Sequence, residues 1–137
     1  MKDQWQPYFS YSASLRVKNS PELHDEISDF TGLEPSECHY RGDIANLNSG
    51  RKWNNDIWTY KSNLSESNDL TDHLNFLWNA IEPYSDYFKA LIDKGVDIDI
   101  FCGYRSDCDH AGLSIKPEAF EIFQKLKIPF ELSIIVC

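Results

Sequence analysis

At 137 residues the chain is long enough for one hydrophobic core and too short for two ordinary domains, so a single domain over residues 1–137 is expected. A 42% hydrophobic and 14% aromatic composition is that of a globular protein and argues against disorder. Its 22 acidic and 13 basic residues give a net charge of −9, a field that repels nucleic-acid phosphates and anionic membranes and favours a basic protein as partner.

Phe9, Tyr11, Ala13, Leu15 and Val17 alternate with Ser10, Ser12, Ser14 and Arg16, the period-two pattern of a half-buried strand. Ser20 as cap and Pro21 at the first helical position open a helix whose Leu23, Ile27 and Phe30 share a face, and Gly32 with Pro35 ends it. Glu22, Asp25, Glu26 and Asp29 line its other side, an acidic stripe that is either a solvated face or a dock for a basic partner. From Cys38 to Arg51 the polar, glycine- and asparagine-bearing sequence predicts a short strand and then a long exposed loop. Trp53 to Lys61 reads as a strand in which Ile57 and Thr59 face away from Trp58 and Tyr60.

Leu70, Leu74, Leu77, Trp78, Ile81, Tyr84, Phe88, Leu91 and Ile92 then trace one apolar stripe at helical period, the main core helix. Pro83 lacks an amide proton and predicts either a kink or two helical pieces, with Gly95 as the stop. Val96, Ile98, Ile100 and Cys102 form a strand with one core face, followed by a polar loop from Tyr104 to His110. Leu113 and Ile115 predict a short strand, Pro117 starts a helix carrying Phe120, Phe123 and Leu126, and Ile128 to Val136 is the last strand. The order β-α-β-β-α-β-β-α-β predicts an α+β two-layer sandwich, ferredoxin-like or related, with a mainly antiparallel sheet and helices on one face.

Gly32-Leu33-Glu34-Pro35, Arg41-Gly42-Asp43, Trp58 followed by Ser62, and Asp72-His73-Leu74, in that order, resemble the bacterial family called domain of unknown function 4279. The resemblance spans the chain from its first strand to its last. It implies a small cytosolic α+β domain and assigns no catalytic residue, cofactor or substrate.

No apolar signal core follows Met1 to Trp5 and no eighteen-residue apolar run occurs, so a cytoplasmic protein is expected. Cys38, Cys102, Cys108 and Cys137 show no CxxC spacing and are read as free thiols. Cys38, His39, Cys108 and His110 are ligand types without ligand spacing, so no metal is expected. Nucleotide, hydrolase and redox signatures are absent, and no cofactor is expected.

Two segments concentrate recognition chemistry. Arg41, Asp43, Arg51, Trp53, Asp56 and Trp58 bring interface-forming tryptophan and arginine into exposed-looking sequence. Arg105, Asp107, Asp109 and His110 crowd one loop, where the carboxylates disfavour a Cys108 thiolate and favour a protonated His110. The leading expectation is a non-catalytic protein-interaction module, of the kind an immunity protein would be, binding a basic partner. The alternative is a small-ligand-binding domain or a small enzyme built on the 105–110 loop.

Overall fold

The computed structural model describes residues 8–107 and 112–136. Strands β1 (Phe9–Lys18), β2 (Glu37–His39), β5 (Ile57–Lys61), β6 (Asp97–Ser106) and β7 (Phe130–Val136) form one sheet in the order β2-β5-β1-β6-β7. Every pairing in it is antiparallel except β6 with β7. Among the described residues, strands β3 (Ile44–Asn46) and β4 (Arg51–Lys52) pair only with each other, as a separate two-stranded arm. Helices α1 (His24–Thr31), α2 (Leu70–Ile81), α3 (Ser85–Asp93) and α4 (Glu121–Leu126) supply the second layer. This is the α+β sandwich with a mainly antiparallel sheet that the sequence predicts. None of the helices is long and apolar enough to cross a membrane among the described residues.

The alternation in β1 and β6 decides where the core sits. Ala13, Leu15, Val17, Ile98, Ile100 and Cys102 point to the helix side and are buried against Ile27, Leu74, Leu77, Ile81, Phe88 and Ile122. Trp58 joins them fully buried, its Nε1 donating to Ser28 Oγ at 3.0 Å and so tying β5 to α1. Pro83 divides the long apolar stripe as its missing amide requires: α2 ends at Ile81, a 3-10 turn spans Glu82–Tyr84 and α3 follows. Gly32 closes α1 at φ 70°, in the left-handed region that glycine enters without strain.

Four local expectations are corrected. The long loop after β2 is the β3–β4 hairpin, whose pairing is too short and too polar to show as a period-two signal. No strand forms at Leu113 and Ile115, which pack on the core from irregular backbone. Ser20 makes no cap hydrogen bond, because a 3-10 turn over Pro21–Leu23 precedes α1. Phe30 is 58% exposed and stacks on Tyr87 with ring centroids 4.3 Å apart, since its position in α1 looks toward α3 instead of into the core.

Two histidines are sealed inside. His73 is 1% exposed with Nδ1 2.8 Å from Ser62 Oγ, and His24 is 1% exposed with Nδ1 3.2 Å from Cys38 Sγ. Burial lowers both imidazoles below their ordinary value, outweighing the neighbouring carbonyls of Ser65 and Asn68 for His73 and the carboxylates of Asp56, Asp25 and Glu22 for His24. A histidine lowered in the folded state binds its proton more readily when unfolded. Its contribution is therefore complete above the unfolded value of about 6.5 and is lost as pH falls toward the folded one. Urea midpoints should hold between pH 8 and 7 and decline below about pH 6.5, with the decline reduced in His73→Gln; a flat midpoint down to pH 5 would contradict this.

Candidate functional site

Among the described residues no helix covers the other face of the sheet, and cross-strand register places its side chains. Ser10, Ser12, Ser14, Arg16 and Lys18 of β1 lie beside Arg105, Gly103, Phe101, Asp99 and Asp97 of β6. On the other flank Ser14, Arg16 and Lys18 lie beside Lys61, Thr59 and Ile57 of β5, and the last two neighbour Glu37 and His39 of β2. Serine, threonine and glycine in mid-sheet leave the floor low, while Arg16, Phe101 and the arm stand above it.

Arg16 is fixed by Asp99, which is 1% exposed: Nε and Nη2 donate to the two carboxylate oxygens at 2.8 and 2.7 Å, and Lys18 Nζ adds a contact at 3.0 Å. Burial alone would raise the Asp99 carboxyl, but the bonds from Arg16 and Lys18 prevail and hold it below the usual carboxylate value. The guanidinium also lies over Phe101, 4.4 Å from the ring centre. Arg16 and Phe101 thus make a rigid flat platform, because a bidentate pair leaves the guanidinium no rotation.

The arm supplies the facing wall. Asp43 Oδ2 accepts from Tyr40 N at 2.9 Å and Asp56 Oδ1 from Arg41 N at 2.8 Å. Trp53 N donates to Asp43 O at 2.8 Å, and Gly42 N to Trp53 O at 2.9 Å. These bonds hold Trp53 where its indole stacks on His39, centroids 4.1 Å apart. Between wall and platform lies a cleft of about 550 Å³, lined by Ser12, Ser14, Arg16, His39, Trp53, Thr59, Lys61 and Phe101 among others. A second cleft of about 340 Å³ runs past Gly103 and Arg105 to Ser133 and Ile135, and a third of about 440 Å³ passes Ser62 and Glu66. Lys61 borders all three. Among the described residues neither Lys61 nor Arg105 has a carboxylate within ion-pair distance.

Charge divides by face. On the open face and arm, Arg16, Lys18, Arg41, Arg51, Lys52, Lys61 and Arg105 are balanced by Glu37, Asp43, Asp56, Glu66, Asp97, Asp99 and Glu131. The whole net charge of −9 therefore belongs to the rest of the chain, where Glu22, Asp25, Glu26 and Asp29 are all exposed.

Trp53 stands on the cleft wall, Arg105 is corrected from a loop residue to strand β6, where it pairs with Ser10 and lines the second cleft, and Arg41 and Arg51 are exposed on the arm. Asp43 and Asp56 serve the arm's own backbone, and Asp107 Oδ1 accepts from Tyr8 N at 2.9 Å. Trp58 is corrected to a core residue, because strand alternation turns it to the helix side. Asp109 and His110 lie outside the described residues. None of the three clefts is lined by both Arg105 and either Arg41 or Asp43, the convergence that the enzyme alternative needs. The sequence singles out neither Arg16, Lys61 nor Phe101, and considers His39 only as a metal-ligand type; the polar half of the β1 alternation is the available signal, and it does not show what neighbouring strands set beside it.

Cys38 against His24 is a thiol–imidazole pair that also escaped the sequence. Burial pushes the Cys38 thiol up while it lowers His24, so both stay neutral and the contact is a hydrogen bond without a thiolate. That arrangement does not activate a nucleophile.

No curated protein and no solved structure matches the chain. The family model described as Domain of unknown function (DUF4279) matches residues 9–136, from the first strand of this sheet to its last, and the chain belongs to that family.

Proposed function

We propose that this domain is a non-catalytic recognition module that binds an extended segment of a partner protein along its open sheet face. The observation that carries the reading is the cleft between Trp53 and the Arg16–Phe101 platform, continued by two more clefts that all meet Lys61. A compact ligand is favoured by one enclosed pocket. Here a branched groove has a floor of hydroxyls, which suits backbone groups of an extended chain, and aromatic and arginine walls of the kind that anchor interfaces.

A second reading is supported by the charge division. A basic partner, as an immunity-type role would require, is drawn to the acidic helix layer and not to the neutral groove.

The test is capture from lysate of the source organism with the wild-type domain, followed by affinity measurement of the retained protein at low and high salt. Trp53→Ala with Lys61→Glu should weaken binding about 30-fold or more, equivalent to about 2 kcal/mol, while Asp25→Lys with Asp29→Lys leaves it within about twofold. The opposite pattern, with strong loss in salt, would transfer the site to the helix layer. Equal binding by both variants would end the groove reading.

A further inference from the structure

The two edges of the sheet are built differently. At β2 the edge strand has three residues and carries Glu37 and His39, so its length and charge discourage pairing with another chain. At the other edge β7 has seven residues, pairs among the described residues with β6 alone, and has neither proline nor charge from Leu132 to Val136. Leu132, Ile134, Ile135 and Val136 are 38, 60, 44 and 57% exposed. Leu132, Ile134 and Val136 register with Cys102, Tyr104 and Ser106 and so face the helix side, yet the helices leave them uncovered. An apolar edge with no proline or charge over five residues is a pairing surface.

We propose that two copies of this chain associate through β7, the strands pairing antiparallel about a twofold axis at Ile134. Directly opposed residues of antiparallel strands share a face, so a twofold register must match residues of the same parity. Centred on Ile134, the register sets Ile134 against the partner's Ile134, Leu132 against the partner's Val136, and Ser133 against the partner's Ile135. Apolar side chains then cover one another on the helix side, and the edge N–H and C=O groups gain partners.

Charge identifies the occupant as a second copy. Two molecules of net charge −9 repel over most of their surfaces, but the Leu132–Val136 stretch of this strand meets itself without a carboxylate. In that register the two Glu131 side chains lie about six residues apart along the strands, about 20 Å, which is roughly two screening lengths at physiological salt. A basic foreign partner would find nothing acidic here to engage. The sheet continues across the axis, with both open faces on the same side.

Light scattering after size exclusion, across a concentration series, tests this. The wild type should move from 15.9 kDa toward twice that mass as concentration rises. Ile134→Lys, with its fold checked by circular dichroism, should raise the dissociation constant at least about tenfold, whereas Leu47→Lys, at an 87% exposed position on the arm side, should not. Ile134→Cys places two thiols across the axis at the spacing of opposed strands and should give a disulfide-linked dimer on air oxidation beyond any formed by the wild type. A wild type of 15.9 kDa throughout, a dimer unaffected by Ile134→Lys, or no added cross-link from Ile134→Cys would each overturn the proposal.

Discussion

Replacing Asp99 by alanine is expected to destabilise the domain by about 3 kcal/mol, the low end of the cost of removing one partner from a buried ion pair. The low end applies because the Arg16 side chain retains 22% exposure and can recover some solvation, whereas Asp99 has 1%. The loss should also carry a pH signature. Asp99 is held below its ordinary carboxylate value, so its contribution is complete above the unfolded value of about 4 and is lost as pH falls through the lower folded one. Urea unfolding of wild type and Asp99→Ala should therefore differ by a constant amount at neutral pH and converge in acid. A constant gap down to pH 2 would mean that the carboxylate is not the source of the stability. Because Asp99 fixes the Arg16 platform, the variant should also bind any groove partner more weakly.

Trp58→Ala should cost about 3 to 5 kcal/mol, the usual range for emptying a fully buried aromatic site. Trp58→Phe keeps most of the volume but leaves Ser28 Oγ without its donor, at a cost of about 1 kcal/mol. Both values are read from denaturant midpoints. The contrast with Trp53 is the informative part: Trp53→Ala should alter binding and leave the midpoint nearly unchanged. If Trp58→Ala kept its midpoint and lost binding instead, the assignment of the two tryptophans to core and groove would be reversed.

The fold was largely legible because its signals are local. Alternation in β1 and β6, the proline between α2 and α3, and glycine at the end of α1 each depend on residues within one element. The β3–β4 arm was not, since a pairing of two or three exposed residues leaves no hydrophobic period to detect. The site was legible only in part. Trp53 and Arg105 stand out by residue type and do line clefts, but Trp58 stands out equally and its side is set by strand phase. Arg16, Phe101 and Lys61 come from three strands distant in sequence, and only the register β5-β1-β6 brings them together. Likewise Ser62 and Asp72-His73-Leu74 stood as separate motifs until the 2.8 Å contact between Ser62 and His73 joined them. The even spread of sign along the chain also concealed that the charges of the open face and arm cancel.

The groove is the central claim, and oxidative footprinting of the side chains, with and without the captured partner, tests it most directly. Trp53 and Phe101 report on the open face, while Phe30, exposed and stacked on Tyr87, reports on the helix layer. Labelling of Trp53 and Phe101 should fall on binding while that of Phe30 stays as it was. Protection of Phe30 with Trp53 and Phe101 labelled as before would contradict the account and place recognition on the acidic helices.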